Sequence, residues 1–219
     1  MDMVFQMKSR PVLRRLIIAL MPVIFLIGGG VRAEEPEAAV AFINDFGNRA
    51  ILELTGPELT DKDLQDRFRK LFEEGFDIPY LARAALARFW RKANEQERAD
   101  YTGVFEDYMV QIYSAKFRQY SGQKFKATGG QPAPGGGFFV ASLVSNPDGP
   151  ETKIDWTVDE VDGKQKIRDI KIEGVSMIQT YRDDFAQVVL QNNGQVQGLI
   201  DTLRAKTEQL RADKGNEQG

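Results

Sequence analysis

Carboxylates and tyrosines remain in this sequence for acid–base chemistry, but it contains neither histidine nor cysteine. Without histidine the usual general base is missing, as are the usual metal ligand and every Ser-His or Cys-His arrangement. What remains is a tyrosine beside a protonated acid, a pair that can stabilise an oxyanion in an apolar site. Such a site needs an Asp or Glu on the inward face of a strand. In "TKIDWTVDEV", Thr152 to Val161, the alternation sets Ile154, Trp156 and Val158 on one face and turns Asp155 to the other. Asp183-Asp184 offers metal oxygens, but a metal site needs several converging ligands. Two acids near the start of a helix serve its dipole instead. Arg83, Arg88, Arg91 and Lys92 form a basic cluster, suited to a phosphate headgroup or to a solvated helix face. "PAPGGG", Pro132 to Gly137, is glycine-rich, yet no lysine or helix start is placed to hold a phosphate there. These residues argue against an enzyme.

The elements that must position these residues divide the chain in two. Ala39, Phe42, Ile43, Phe46, Ala50 and Leu54 keep helical spacing. "TGPELT" breaks that helix, and Thr60 with Asp63 predicts a cap on a second one, which buries Leu64, Phe68, Leu71 and Phe72 and stops at Gly75. A short third helical segment follows Asp77. Asn94 and Glu97 open a long helix to about Tyr120. Its apolar face collects Tyr101, Val104, Phe105, Tyr108, Met109, Ile112 and Tyr113, and such a face serves either as core or as the lining of a cavity.

At Gly122 the texture changes to strands. "QKFKATGG", "FFVASLVS", "TKIDWTVDEV" and "KQKIRDIKIEG" are separated by "QPAPGGG", "NPDGP" and Asp162-Gly163, all turn formers. They predict an antiparallel meander of about four strands, curved, with one face apolar and one charged. In the last strand Ile170 and Ile172 alternate with Asp169, Lys171 and Glu173; after Gly174, Val175, Ile178, Tyr181 and Phe185 take helical spacing. Ser176 with Gln179 predicts a capping box at that change, with Gly174 easing the turn out of the strand. A last helix follows "NNG", carrying Val196, Leu199, Ile200, Leu203 and Leu210. The fold class is therefore α+β: N-terminal helices, then a sheet covered on one face, then C-terminal helices.

The first 33 residues read as a cleaved export signal. Lys8, Arg10, Arg14 and Arg15 precede the apolar run Leu16 to Ile27, and "VRA" ends at Ala33. The run of 12 residues is short of the roughly 20 that span a bilayer. With this segment removed, 24 Lys and Arg face 31 Asp and Glu, a net charge near −7. Such an acidic protein is a poor partner for nucleic acid. A cysteine-free chain is neither a lipoprotein nor disulfide-bonded, and residues 34–212 are long enough to hold one domain by core alone. Residues 213–219 are expected to form a disordered tail.

Several stretches together resemble a known family. "FDIPYLARAALARFWRKANEQERADY", Phe76 to Tyr101, is similar to a segment of the MlaC family, the toluene-tolerance auxiliary proteins. Phe76-Asp77, Phe89-Trp90-Arg91 and the polar cap Asn94 to Glu97 hold the family's places. "IRDIKIEGVSMIQTYRDDF" from Ile167 and "GLIDTL" from Gly198 resemble its strand-to-helix junction and its closing helix. Ala87 departs from the pattern, standing where many members have glycine. The resemblance implies a periplasmic carrier that moves phospholipid between outer- and inner-membrane machinery, docking transiently to each. It implies a monomer with no cofactor beyond the lipid it carries. The stretch "ARFWRKANEQER" has some flavour of a branch associated with hopanoid biosynthesis, so a hopanoid-type cargo is the variant reading.

On the carrier reading, Ile154, Trp156, Val158, Ile170 and Ile172 floor a lipid cavity roofed by Phe105, Tyr108, Met109, Ile112, Ile178, Tyr181 and Phe185. Two other readings compete with it: a histidine-free enzyme acting on a hydrophobic substrate, and an adaptor or chaperone whose apolar faces are filled by its own side chains.

Overall fold

The structure is a computed structural model that describes residues 36–216 except 57, 121 and 148, with side chains to 212. The expected export signal lies outside the described residues. Helix α1 (Pro36–Leu54) is followed by α2 (Asp61–Gly75), α3 (Ile78–Leu86) and a 3-10 turn (Ala87–Arg91). Then come α4 (Glu95–Lys116) and a second 3-10 turn (Phe117–Gln119). Both predicted caps form: Thr60 with Asp63 and Asn94 with Glu97 each close a reciprocal capping box, satisfying N–H groups that the first turn leaves unpaired.

The sheet is an open antiparallel meander of β1 (Lys124–Pro132), β2 (Phe138–Ser145), β3 (Thr152–Val161), β4 (Lys164–Ile172) and β5 (Val175–Ser176). It therefore has five strands where the sequence suggests about four. The extra one arises at Glu173-Gly174, where both residues take positive φ, 49° and 81°, and make a two-residue hairpin. Gly174 thus turns the chain into a short strand first, pairing Ile172 with Val175. Helix α5 (Met177–Gln191) begins directly after it, and α6 (Val196–Asn216) closes the chain. The last helix reaches Asn216, into the stretch read as a tail.

Ser176 caps α5 by accepting from the Gln179 N–H at 3.1 Å, but the reciprocal half of the expected box is not made. The Gln179 amide donates to Asp183 at 2.9 Å instead, and Asp169 takes its place at the helix start. One Asp169 oxygen accepts from the Ser176 hydroxyl at 2.7 Å and the other from the Ile178 N–H at 3.2 Å.

Strand β4 carries a β-bulge just before Asp169. The β3–β4 register runs Ile154 to Ile172 and Trp156 to Ile170, then slips, so that Val158 faces Ile167. Arg168 is the extra residue, and the bulge lets Ile167 and Ile170 share a face that strict alternation would deny them. Arg168 turns outward to ion-pair with Asp77 at 2.9 Å and with Asp159. Asp77 itself caps α3 through the Tyr80 N–H at 3.2 Å, and its own N–H donates to the Ile167 carbonyl at 3.1 Å. The Phe76-Asp77 pair therefore pins the α2–α3 junction to β4.

Three apolar clusters hold the molecule together. A helical one joins α3, α4, α5 and α6 around Leu86, Phe89, Tyr101 and Leu199. A second joins α1 to the sheet through Ala39, Ile43, Val140, Val158 and Ile167. A smaller third joins α1 to α2 at Leu54, Leu64 and Leu71.

Candidate functional site

Where the three clusters approach one another they leave a cavity of about 780 Å3, within the roughly 300–1,000 Å3 of ligand sites. The sheet supplies Phe125, Val144, Ile154, Trp156, Ile170 and Ile172; α1 and α2 supply Phe46, Ala50, Leu54, Phe68, Leu71 and Phe72. Helices α4 and α5 cover it with Phe105, Met109, Tyr113, Ile178 and Tyr181. The polar lining residues Lys116, Gln119, Gln123, Asn146 and Thr152 gather where α4 ends, β1 begins and the β2–β3 turn lies. Lys116, Gln119 and Ile172 are solvent-exposed, so this end is the mouth.

The walls are aromatic, and the Trp156 N–H is paired. Phe46 meets Phe76 edge-on with ring centroids 5.7 Å apart, and Phe125 meets Trp156 at 6.0 Å. The Trp156 indole donates to the Ser142 hydroxyl at 2.8 Å, which in turn donates to the Ile154 carbonyl at 3.0 Å. Trp156 can therefore face an apolar space without an unpaired N–H. Gly47 is needed for close approach: a Cβ there would lie 2.3 Å from the Phe125 ring. The hydroxyls of Tyr113 and Tyr181 are hydrogen-bonded to each other at 2.8 Å across the cover. Burial pushes both above the ordinary tyrosine range, so both stay protonated at neutral pH.

Eight of the twelve residues expected at the cavity line it: Phe105, Met109, Ile154, Trp156, Ile170, Ile172, Ile178 and Tyr181. The other four lie off it. Val158 is sealed beneath α1 and Phe185 is buried among the helices beside Tyr101 and Phe105. Tyr108 and Ile112 are half-buried on α4. The lining stripe there is Phe105, Met109, Tyr113 and Lys116, spaced four, four and three, and Tyr108 and Ile112 stand at its edge, turned away around the helix.

Sequence reasoning missed the whole contribution of α1 and α2. Their apolar spacing carries no mark that separates a wall from a filled interior. The small residues Gly47 and Ala50, one turn apart and facing aromatic rings, are the signal that was there to use. Asp169 was missed as well. It lines the cavity, but its oxygens are engaged by Ser176, Ile178 and its neighbour Ile170. The other candidate chemistries do not assemble. Asp183 is held by Gln179, and the described residues contain no group of three acidic residues able to hold a metal ion. Arg88 and Lys92 lie over the Phe89 ring.

The family model for the MlaC protein matches residues 46–205, which includes every wall of the cavity. This chain belongs to the MlaC family. As in the sequence resemblance, the match runs through Phe76-Asp77 and the strand-to-helix junction. Among curated proteins, this chain is similar to the toluene tolerance protein ttg2D of Pseudomonas putida, 21% identical over 114 residues. That match covers 52% of this chain and 53% of the relative, so the chain spans about half of that protein's length. Among solved structures it is similar to a phospholipid-binding protein from Ralstonia solanacearum, in complex with a phospholipid. The TM-score is 0.67 at 22% identity, covering 79% of this chain and 98% of the other; the likeness is one of fold. No helix of the described residues is long and apolar enough to cross a membrane.

Proposed function

We propose that this protein is a lipid carrier of the periplasm, holding a phospholipid with its tails in the cavity and handing it between outer- and inner-membrane machinery. The observation that supports this is the cavity itself: a mostly apolar space between sheet and helices, with Lys116, Gln119, Gln123, Asn146 and Thr152 gathered at its mouth. Leaving a tail in water is costly. At about 0.8 kcal/mol per methylene, a sixteen-carbon chain carries on the order of 10 kcal/mol against crossing an aqueous gap. An apolar pocket removes that barrier without chemistry, which is all a carrier needs. Phe105, Met109, Ile154, Trp156, Ile170, Ile172, Ile178 and Tyr181, joined by the α1 and α2 residues, are the proposed tail contacts. The cargo is the only ligand the reading requires, and the protein acts as a monomer that docks transiently at each membrane.

The catalytic alternative asks for an inward acid, and Asp169 is one. Its carboxylate accepts from three donors of its own chain, however, and holds the first turn of α5. That favours a structural task for it. The adaptor reading requires filled apolar faces, and the cavity of about 780 Å3 speaks against it.

Mass spectrometry of the mature protein, purified without detergent, tests the proposal. Lipid is expected to remain bound under native conditions and to be released on denaturation, its mass separating phospholipid from a hopanoid. Protein that is free of lipid and takes none from liposomes would overturn the carrier reading.

A further inference from the structure

The two tyrosines that meet over the cavity have more hydrogen-bonding capacity than they use on each other. In the 2.8 Å contact between Tyr113 on α4 and Tyr181 on α5, one hydroxyl donates and the other accepts. The accepting hydroxyl keeps its own proton, and among the described residues neither hydroxyl makes a second hydrogen bond, although Tyr108 and the Asp184 carboxylate lie near enough to Tyr181 to act on it electrostatically. A donor left unpaired in an apolar space is unfavourable. Both side chains line the cavity, so the spare proton has the cavity to point into.

The position is also telling. Lys116 lies one turn beyond Tyr113, at the exposed mouth, with its ammonium 6.0 Å from the centre of the Tyr113 ring. Tyr181 is in the second turn of α5, close after the β4–β5 hairpin whose Ile172 is also exposed at the mouth. The pair stands between the polar rim and the aromatic interior. That is the depth at which a lipid changes from polar to hydrocarbon.

Resting on the carrier reading above, we infer that the Tyr113–Tyr181 pair is a specificity contact that donates a hydrogen bond to an acceptor oxygen at the head–tail junction of the cargo, the ester carbonyl or phosphate oxygen of a glycerophospholipid. A pure hydrocarbon offers no such acceptor, so the pair favours the phospholipid over an equally apolar molecule that fits the same walls. The role of the pair as a unit has a signature. Replacing one tyrosine by phenylalanine breaks the mutual bond but leaves the remaining hydroxyl free to turn to the lipid. Only the double replacement removes the donor.

The test compares the full mature chain with Tyr113→Phe, Tyr181→Phe and the double variant. Each is measured for uptake from vesicles of a diester phosphatidylethanolamine, from vesicles of its dialkyl ether analogue, and of squalene as an oxygen-free hydrocarbon. Each single variant is expected to bind the diester lipid within about twofold of the parent, and the double variant about fivefold more weakly, the usual scale of one neutral hydrogen bond. Squalene uptake stays unchanged throughout. A double-variant loss confined to the diester lipid identifies the carbonyl as acceptor, and an equal loss for the ether lipid identifies the phosphate; both support the inference. Unchanged diester binding in the double variant, or an equal loss of squalene, overturns it. If the parent chain takes up no lipid at all, it is the carrier reading that fails.

Discussion

Three cross-strand pairs on one face of the sheet, Val158–Ile167, Trp156–Ile170 and Ile154–Ile172, use nearly the same side chains and end in different surroundings. Val158 and Ile167 have 0% exposure beneath α1, Trp156 has 7%, and Ile172 at the mouth has 42%. The same change runs along α1. Ala39 and Ile43 pack into the closed end of the sheet, whereas Gly47, Ala50 and Leu54 look into the cavity. The strands do not differ in pattern between the two ends. What differs is what comes down on them: α1 lies close at the closed end, while at the open end α4 and α5 stand off, joined by the tyrosine pair. Apolar alternation specifies which face is buried, and the opposing layer decides whether that face meets protein or space.

Removing side-chain volume at each end gives the largest contrast. Ile167→Ala empties a sealed site and is expected to lower the unfolding free energy by about 2–5 kcal/mol. Ile172→Ala removes surface already in contact with water, so its stability should stay within about 0.5 kcal/mol of the parent, while phospholipid retained after detergent-free purification falls. Denaturant unfolding alongside native mass spectrometry reads both quantities. Equal stability losses at the two positions would break the distinction between the ends.

Adding volume should reverse the sign. Ala39→Phe forces a ring into the filled contact between α1 and the sheet, an overpacking that costs about 1–3 kcal/mol. Ala50→Phe, about three turns along the same helix, puts the ring into the cavity. There it should leave the lipid-free protein as stable as the parent or up to about 1 kcal/mol more stable, as cavity-filling substitutions commonly do. Lipid uptake from liposomes should drop in the same protein. If Ala50→Phe destabilises as Ala39→Phe does, the space is not available to a side chain and the comparison needs redrawing.

Much of this was legible from the residues, and the parts that were not share a cause. The caps at Thr60 and Asn94, the Asp162-Gly163 turn and the order of helices, sheet and helices rest on local chemistry, which a sequence displays. The bulge at Arg168 is not local. It needs the slip of β4 against β3, and that slip keeps Ile167 on the apolar face while turning Arg168 out to Asp77 and Asp159. Glu173 at φ 49° likewise hides a hairpin where a simple strand exit was expected. The cavity walls on α1 and α2 escaped for a different reason. Phe46, Phe68 and Phe72 keep the spacing of a buried face, and burial against a partner and burial against a void look alike in one dimension. At Tyr108 and Phe185 the same ambiguity worked the other way, core being taken for lining.

The finest test of whether the two regions are independent comes from the helical end, at Ala87. Its φ of 49° and ψ of −121° match the first central position of a type II′ turn, a conformation in which glycine is favoured. It joins α3 to the following 3-10 turn, at the position where family resemblance leads one to expect glycine. Holding alanine there costs on the order of 1–3 kcal/mol, while glycine adds roughly 0.5–1 kcal/mol of backbone entropy to be lost on folding. The net expectation for Ala87→Gly is a gain of about 1 kcal/mol, the difference of those two ranges, visible as a higher denaturant midpoint at constant slope. Because α3 also lends Leu81 and Ala85 to the cavity wall, lipid affinity is the informative second reading. An unchanged affinity means that the filled helical body absorbs the relief and the cavity is set by α1, the sheet and the α4–α5 cover. A changed affinity would mean that strain at Ala87 is transmitted along α3 into the wall, and that the closed and open regions behave as one mechanical unit.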